Sequence, residues 1–424
     1  MPYPDTILTR PIRLALMGFL IILFFTISPI IILYTIGYRY DGASKEIKQT
    51  GVLSVNVLPD EAKVTINSLE INKKIPFELT NRAPGMYLVK IEKPGFYSWE
   101  KEMIIESKQT TYIRNLTLLK QALPIKLFQN MGEIIDVSVS HDGKYLLFTA
   151  QDEPGIFEVF LYEAKKDSLT PLLRTQKTKP IIDFSPFDYT AFIEYKKLGS
   201  NNFLFELFNA EKLSEKQTYS IAESLNEIDY KWIQNKEESE IIFSQNRVAT
   251  LFTKDKKIRH GLLVHDIFGL DEDQKIWEFD KKTKKLISGE KEIELQYIIT
   301  DILSFKNDTM IATTDHGTLI FDMLQNQEPK IINAEHILPK KGEGQFIAWS
   351  ETEIWIIGED NLPKLLNRTS DKIDRVLPAT ELGEYISISN GTIKISDPEY
   401  YTEQIILENA EIMEIGVNKK TRKI

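Results

Sequence analysis

The chain has 424 residues, 42% of them hydrophobic and 27% charged, with a formal net charge of −10, five His and no Cys. At roughly 150 residues per domain this length makes two or three domains with ample core. Without Cys there is no disulfide scaffold, thiolate nucleophile, iron–sulfur cluster or Cys-rich zinc site. The acidic balance argues against nucleic acid as a partner, because neutralising a phosphate backbone needs clustered Lys and Arg.

Residues 14–36, LALMGFLIILFFTISPIIILYTI, run without a charge. At about 1.5 Å per residue this segment is long enough to cross a hydrocarbon core of about 30 Å. Arg10 and Arg13 precede it, and Tyr34, Tyr38, Arg39 and Tyr40 mark the other flank, residue types that settle at headgroup depth. Pro29 is tolerated in a spanning helix, where neighbouring groups satisfy the freed carbonyl. The alternatives are a cleaved signal peptide, which has a shorter apolar region and an A-x-A site, and a buried soluble helix. Cations on both sides, including Lys45 and Lys48 downstream, leave the orientation open. The simplest insertion is a signal anchor with residues 1–13 as a short cytoplasmic tail and the body exported.

After a linker at 37–50 the pattern changes to period two. Leu53, Val55 and Val57 share one face of a strand that ends at Pro59, and Lys63-Val64-Thr65-Ile66 is a second. Pro84-Gly85 launches Met86-Tyr87-Leu88-Val89-Lys90-Ile91, and Pro94-Gly95 closes it. With Met103-Ile104-Ile105 and Ile113 to Leu118 there are about six strands, predicting a small antiparallel β-sandwich over 51–119.

These residues resemble a PEGA domain. Gly51-Val52-Leu53-Ser54-Val55, Pro59-Asp60-Glu61-Ala62-Lys63-Val64, Ile75-Pro76-Phe77, Ala83-Pro84-Gly85-Met86-Tyr87 and Lys93-Pro94-Gly95-Phe96-Tyr97-Ser98-Trp99 come in the family's order. The departures are Asp60-Glu61, where a small residue or Gly often stands, and Ile75, where Thr is usual. The resemblance implies an extracytoplasmic prokaryotic β-domain associated with cell-surface proteins, and it supplies no catalytic residues. Phe77, Tyr87, Phe96, Tyr97 and Trp99 read first as core and second as an aromatic binding platform.

From 124 to 417 short β-branched and aromatic runs recur. Ile134-Ile135-Asp136-Val137-Ser138 is echoed by Ile181-Ile182-Asp183-Phe184-Ser185 and Glu227-Ile228-Asp229-Tyr230. Weaker echoes are Val264 to Ile267, Thr300 to Leu303, Gln345 to Ser350 and Glu384 to Ile388. Spacing near 40 residues is that of a four-stranded blade and predicts a β-propeller of about seven blades, six to eight fitting the spacing. A sandwich pair or a solenoid is the alternative. Ser140-His141-Asp142-Gly143-Lys144-Tyr145-Leu146-Leu147-Phe148 resembles the blade motif of TolB-like and WD-repeat-like propellers. The lysine runs 254–257 and 281–285 read as solvated loops, and 418–424 as a basic tail.

No G-x-S-x-G, H-E-x-x-H, phosphate loop or EF-hand loop is present, so no catalytic, cofactor or metal residues are assigned. Asp271-Glu272-Asp273 reads as an acidic turn, and His260 and His265 as surface or core groups. Ser138, Ser140, His141 and Asp142 fail as a triad because neighbours in a turn seldom converge. The expectation is an all-β, membrane-anchored envelope protein that binds or scaffolds an envelope protein or surface glycan, without cofactor. The alternatives are an exported propeller enzyme acting on glycan or peptide, with carboxylates or a His converging at the channel mouth, and a sensor that needs a membrane partner.

Overall fold

The computed structural model describes residues 10–41, 45–121, 131–197, 199, 201–222, 224, 230–233, 239–245, 247–253, 257–271, 273–306, 308–324, 329–340, 345–358, 360–379, 383–408, 412 and 415–416. Two compact units divide the chain, 1–125 and 126–424.

The first unit begins with a helix over Arg10–Thr35. It starts before the uncharged run because Arg10 and Arg13 favour helix as well as most residues do. It stops one residue short of Ile36 because Gly37 turns to φ +92, a left-handed cap. Over Pro11–Thr35 the helix is long and apolar enough to cross a membrane. Its large side chains stand exposed on every side, Ile22, Phe25 and Ile30 among them. The Thr26 and Thr35 hydroxyls bond back to the Ile22 and Ile32 carbonyls, at 2.8 and 2.9 Å, so their polar atoms stay within the helix.

The segment expected as a plain linker, 37–50, contains a hairpin in which Tyr38–Asp41 pairs antiparallel with Glu46–Gln49. Tyr38, Tyr40 and Ile47 give it strand propensity that a reading by polarity overlooks.

Beyond the hairpin, the described residues form a sandwich of seven strands in two sheets rather than about six. The strand Gly51–Leu58 lies between Phe77–Arg82 and Thr110–Thr117. Lys63–Ile66 and Gly85–Glu92 lie between Leu69–Ile71 and Trp99–Ile105. The expectation of an antiparallel sandwich holds for all pairs but one. Gly51–Leu58 and Thr110–Thr117 run parallel, because the chain crosses to the other sheet between them. The predicted face is the core: Leu53, Val55 and Val57 are buried with Ile91, Ile105 and Ile113.

The second unit holds seven four-stranded antiparallel sheets among its described residues, each made of consecutive strands. They span 133–176, 181–221, 230–262, 267–294, 299–332, 336–368 and 375–407, and form blades 1 to 7 of a β-propeller. Each of blades 1 to 6 packs its apolar residues on the next. Leu147 and Val159 meet Phe184 and Ala191, Phe192 and Phe205 meet Phe243 and Phe252, and Trp349 meets Tyr385. Blades 3 to 6 are joined in the same way.

The first echoes lie on inner strands: Glu133–Val139, Ile181–Phe184 and Ile299–Lys306. Ile267 opens the fourth inner strand, Ile267–Leu270. Of the third echo only Tyr230 falls within the described residues, and it opens the inner strand Tyr230–Ile233. The last two echoes are corrected. Gln345–Trp349 and Tyr385–Ser389 are second strands, and the inner strands of blades 6 and 7 are His336–Lys340 and Arg375–Pro378. The second strands are buried on both faces and therefore look more like the hydrophobic repeat. Ser350 reinforces the slip, because its hydroxyl accepts the Glu353 N–H in a turn, as Ser140 accepts that of Tyr145.

Candidate binding site at the channel mouth

The inner strands of blades 1, 2, 3, 6 and 7 converge on a cavity of about 310 Å³. Blade 1 contributes Ser138 to His141, and blades 2 and 3 contribute Asp183, Phe184, Pro186 and Trp232. Leu338, Pro339, Arg375, Leu377 and Pro378 complete the wall. Beyond blade 7 the chain returns to the ring, where Ile415 and Gly416 line the same cavity. Only Gly fits there, since a Cβ at position 416 would lie 2.0 Å from Val139 Cγ1.

Asp183 is the carboxylate of this lining. Its Oδ2 accepts the Trp232 Nε1–H at 2.8 Å and the Tyr230 hydroxyl at 3.0 Å, and its Oδ1 accepts the Ser138 hydroxyl at 3.2 Å. Ser138 Oγ in turn accepts the Phe184 N–H at 3.0 Å. Strand alternation sets this up: Tyr230 and Trp232 point to blade 2, while Lys231 between them points to blade 4. Burial pushes the Asp183 carboxyl above the ordinary carboxylate range, and the hydrogen bonds it accepts only partly offset it. Burial and the Asp183 charge raise the Tyr230 phenol well above its usual value.

Lys231 makes a second cluster on the inner strands. Its ammonium donates to the Phe268 carbonyl at 2.6 Å, to the Ile302 carbonyl at 3.2 Å and to the Asp301 carboxylate, tying blade 3 to blades 4 and 5. Asp136, the counterpart of Asp183 in blade 1, pairs with Lys179 at 2.9 Å.

The four blade-turn residues do not form a triad. His141 directs Nδ1 to the Asp188 carbonyl at 3.0 Å and packs its ring 4.9 Å from Tyr189. Asp142 accepts the Lys144 N–H and the Tyr189 hydroxyl, and Ser138 serves Asp183. Blade 2 lacks the Asp-Gly turn yet repeats the device: Ser185 accepts the Phe187 N–H and Asp188 that of Thr190.

The other sequence candidates lie apart from the cavity wall. Asp271 caps its own turn, accepting the backbone N–H groups of Asp273 and Lys275 and the Trp277 indole. Glu272, Glu227 to Asp229, residues 254–256, 1–9 and 418–424, and the side chain of His260 fall outside the described residues. His265 sits 3.9 Å from Asp280. Among the described residues no group of three His, Asp or Glu could hold a metal ion. Residues 281–284 are exposed, as a solvated loop should be. In the small sandwich Phe77 and Trp99 are buried and belong to the core, whereas Tyr87, Phe96 and Tyr97 are half-buried, Tyr87 bonding to the Ala83 carbonyl. Trp232 carries no sequence signal of its own, and the Asp of the Ile-Ile-Asp repeat is the signal for its partner.

Residues 50–121 match the PEGA domain family. The PEGA domain is therefore the seven-stranded sandwich of the first unit. No curated protein matches the chain. Similar solved structures include the β-propeller domain of the trilobed protease from Pyrococcus furiosus, at 12% identity over 77% of this chain and 98% of that one, with a TM-score of 0.37. Hsv2 of Kluyveromyces lactis is 13% identical over 62% of this chain and 74% of its own, with a TM-score of 0.33. The propeller assignment rests on the seven blades themselves.

Proposed function

We propose that the protein is a membrane-anchored, extracytoplasmic binding and scaffolding protein of the prokaryotic cell envelope. Its N-terminal helix is the anchor, its PEGA domain sits next to the membrane, and its propeller is the interaction platform. The observation that carries the reading is the channel-mouth cavity. Its carboxylate is engaged by three donors of the ring and its imidazole by a backbone carbonyl. The rest of its wall is apolar or hydroxyl-bearing, with the Arg375 guanidinium as its cation. Such a surface suits docking of a protein segment or glycan by shape and hydrogen bonds. The association of PEGA domains with cell-surface proteins supports export of the body.

The test is protease treatment of intact cells carrying the full chain with a C-terminal tag. Loss of the tag without lysis is the expected result. Protection of the tag, in cells whose surface proteins are digested, would overturn it. Filling the cavity by Leu377→Trp, at a half-buried wall position, should then abolish capture of the partner pulled down by the wild-type chain.

A further inference from the structure

We infer that the helix-proximal end of the PEGA domain lies against the bilayer surface and takes anionic lipid headgroups, a conclusion that rests on the helix being the membrane anchor.

The domain is held at the point where the helix ends. The Gly37 carbonyl accepts the Thr50 N–H at 2.9 Å, and the Thr50 carbonyl accepts the Lys108 N–H at 3.0 Å. Arg39 ties the same parts together. Its Nε donates to Asn81 Oδ1 at 2.8 Å, its Nη1 donates to the Tyr34 and Tyr38 carbonyls, and its guanidinium lies 3.5 Å over the Tyr34 ring. Tyr34 belongs to the last turn of the helix and Asn81 to the sandwich, so the domain is braced to the helix end rather than tethered to it.

Strand directions show which part of the sandwich this is. Gly51 pairs with Arg82, Gly85 with Ile105, and Val52 with Thr110, so all these ends lie together. Leu58 marks the opposite end, paired with Thr117, about 23 Å away along the strand. The helix-proximal end exposes apolar groups: Met86 is 67% exposed and Ile104, directly opposite it, 59%. Tyr40 and Ile47 of the hairpin are exposed beside it. Arg82 and Lys108 are exposed cations of the same end, against the acid Glu106, and the hairpin exposes Lys45 and Lys48 with Glu46. Apolar and tyrosine side chains among Lys and Arg are the composition of a headgroup-depth surface. Arg82 and Lys108, exposed beside the end of a spanning helix, are the groups that would draw anionic headgroups to this end.

The chain has no Cys, so single-Cys variants carry one spin label each. The full chain would be reconstituted in phosphatidylcholine vesicles with and without a quarter phosphatidylglycerol, with labels at Phe25→Cys, Ile104→Cys and Leu58→Cys. Collision with a water-soluble nickel chelate is the readout. We expect Phe25 to be shielded, Leu58 open, and Ile104 at least about threefold less accessible than Leu58 on the anionic vesicles. Arg82→Glu with Lys108→Glu should return Ile104 toward the Leu58 value while Phe25 stays shielded. Ile104 as open as Leu58 with Phe25 shielded overturns the inference alone. Equal shielding of Ile104 on neutral vesicles overturns its anionic character. Phe25 open to the chelate overturns the anchor reading and the inference with it.

Discussion

Trp232 donates its indole N–H to Asp183 across the boundary between blades 3 and 2, at 2.8 Å. The bond joins two inner strands at the wall of the channel-mouth cavity and fixes the orientation of the indole in that wall. Trp232→Phe keeps most of the packing and removes one bond to the carboxylate, which should cost about 1–2 kcal/mol. Asp183→Ala strips the acceptor from both Trp232 and Tyr230 and should cost about 3 kcal/mol. Urea unfolding of the detergent-solubilised chain, followed by near-ultraviolet circular dichroism, measures both. Equal losses for the two variants would contradict the shared-acceptor arrangement.

Asp183 also predicts a pH dependence. Burial raises its pKa in the folded protein, so the native state binds a proton more tightly than the unfolded chain does. Its contribution is therefore most favourable below the unfolded carboxylate pKa of about 3.9, and it declines as the pH rises toward the native value. Unfolding midpoints of the wild type and Asp183→Asn between pH 4 and 8 should diverge in the variant's favour as the pH increases. A shift toward the wild type would refute the sign.

Glu353 in blade 6 predicts the opposite trend. Burial pushes its carboxyl up, but bonds from Arg368, Asn333 and Trp355 outweigh it and hold the pKa below the usual range. This contribution is complete above the unfolded value of about 4.3 and is lost as the pH falls through the folded one. Glu353→Gln should be less stable than the wild type at pH 7, with the gap closing below about pH 4. Because the Arg368 side chain is 69% exposed, added salt should narrow the gap at pH 7.

Gly416→Val tests the return of the chain to blade 1. The new side chain would collide with Val139, so the segment around Ile415 should leave the cavity wall. Limited proteolysis with a C-terminal tag should release the tag several-fold faster than from the wild type. Unchanged release would mean that the segment does not hold there.

The features legible in the sequence were those governed by local chemistry. An uncharged run at 14–36 leaves a helix few alternatives in either water or lipid, and the Pro-Gly pairs at 84–85 and 94–95 mark real chain reversals. The phases of blades 6 and 7 were not legible. The inner strands of blades 6 and 7, His336–Lys340 and Arg375–Pro378, are short, carry a cation at one end and contain a Pro, so the hydrophobic signal moves one strand outward. The parallel pairing of Gly51–Leu58 with Thr110–Thr117 was hidden because sequence neighbours suggest hairpins, whereas its partners lie more than fifty residues apart. The Asp183 cluster was half visible. The repeated Asp marked the position, but Trp232 comes from the next blade, and no local spacing links the two.

Among the described residues every blade consists of four consecutive strands, and blade 7 takes none from the start of the propeller. A sheet whose strands are all close in sequence can form as soon as its own stretch of chain is free, without waiting for a distant partner. A polypeptide made from its N-terminus emerges from the ribosome in the order in which these sheets are built. Blade 1 can be complete while blade 5 is still being synthesised, whereas the landing of Gly416 against Val139 waits until all seven blades have been made.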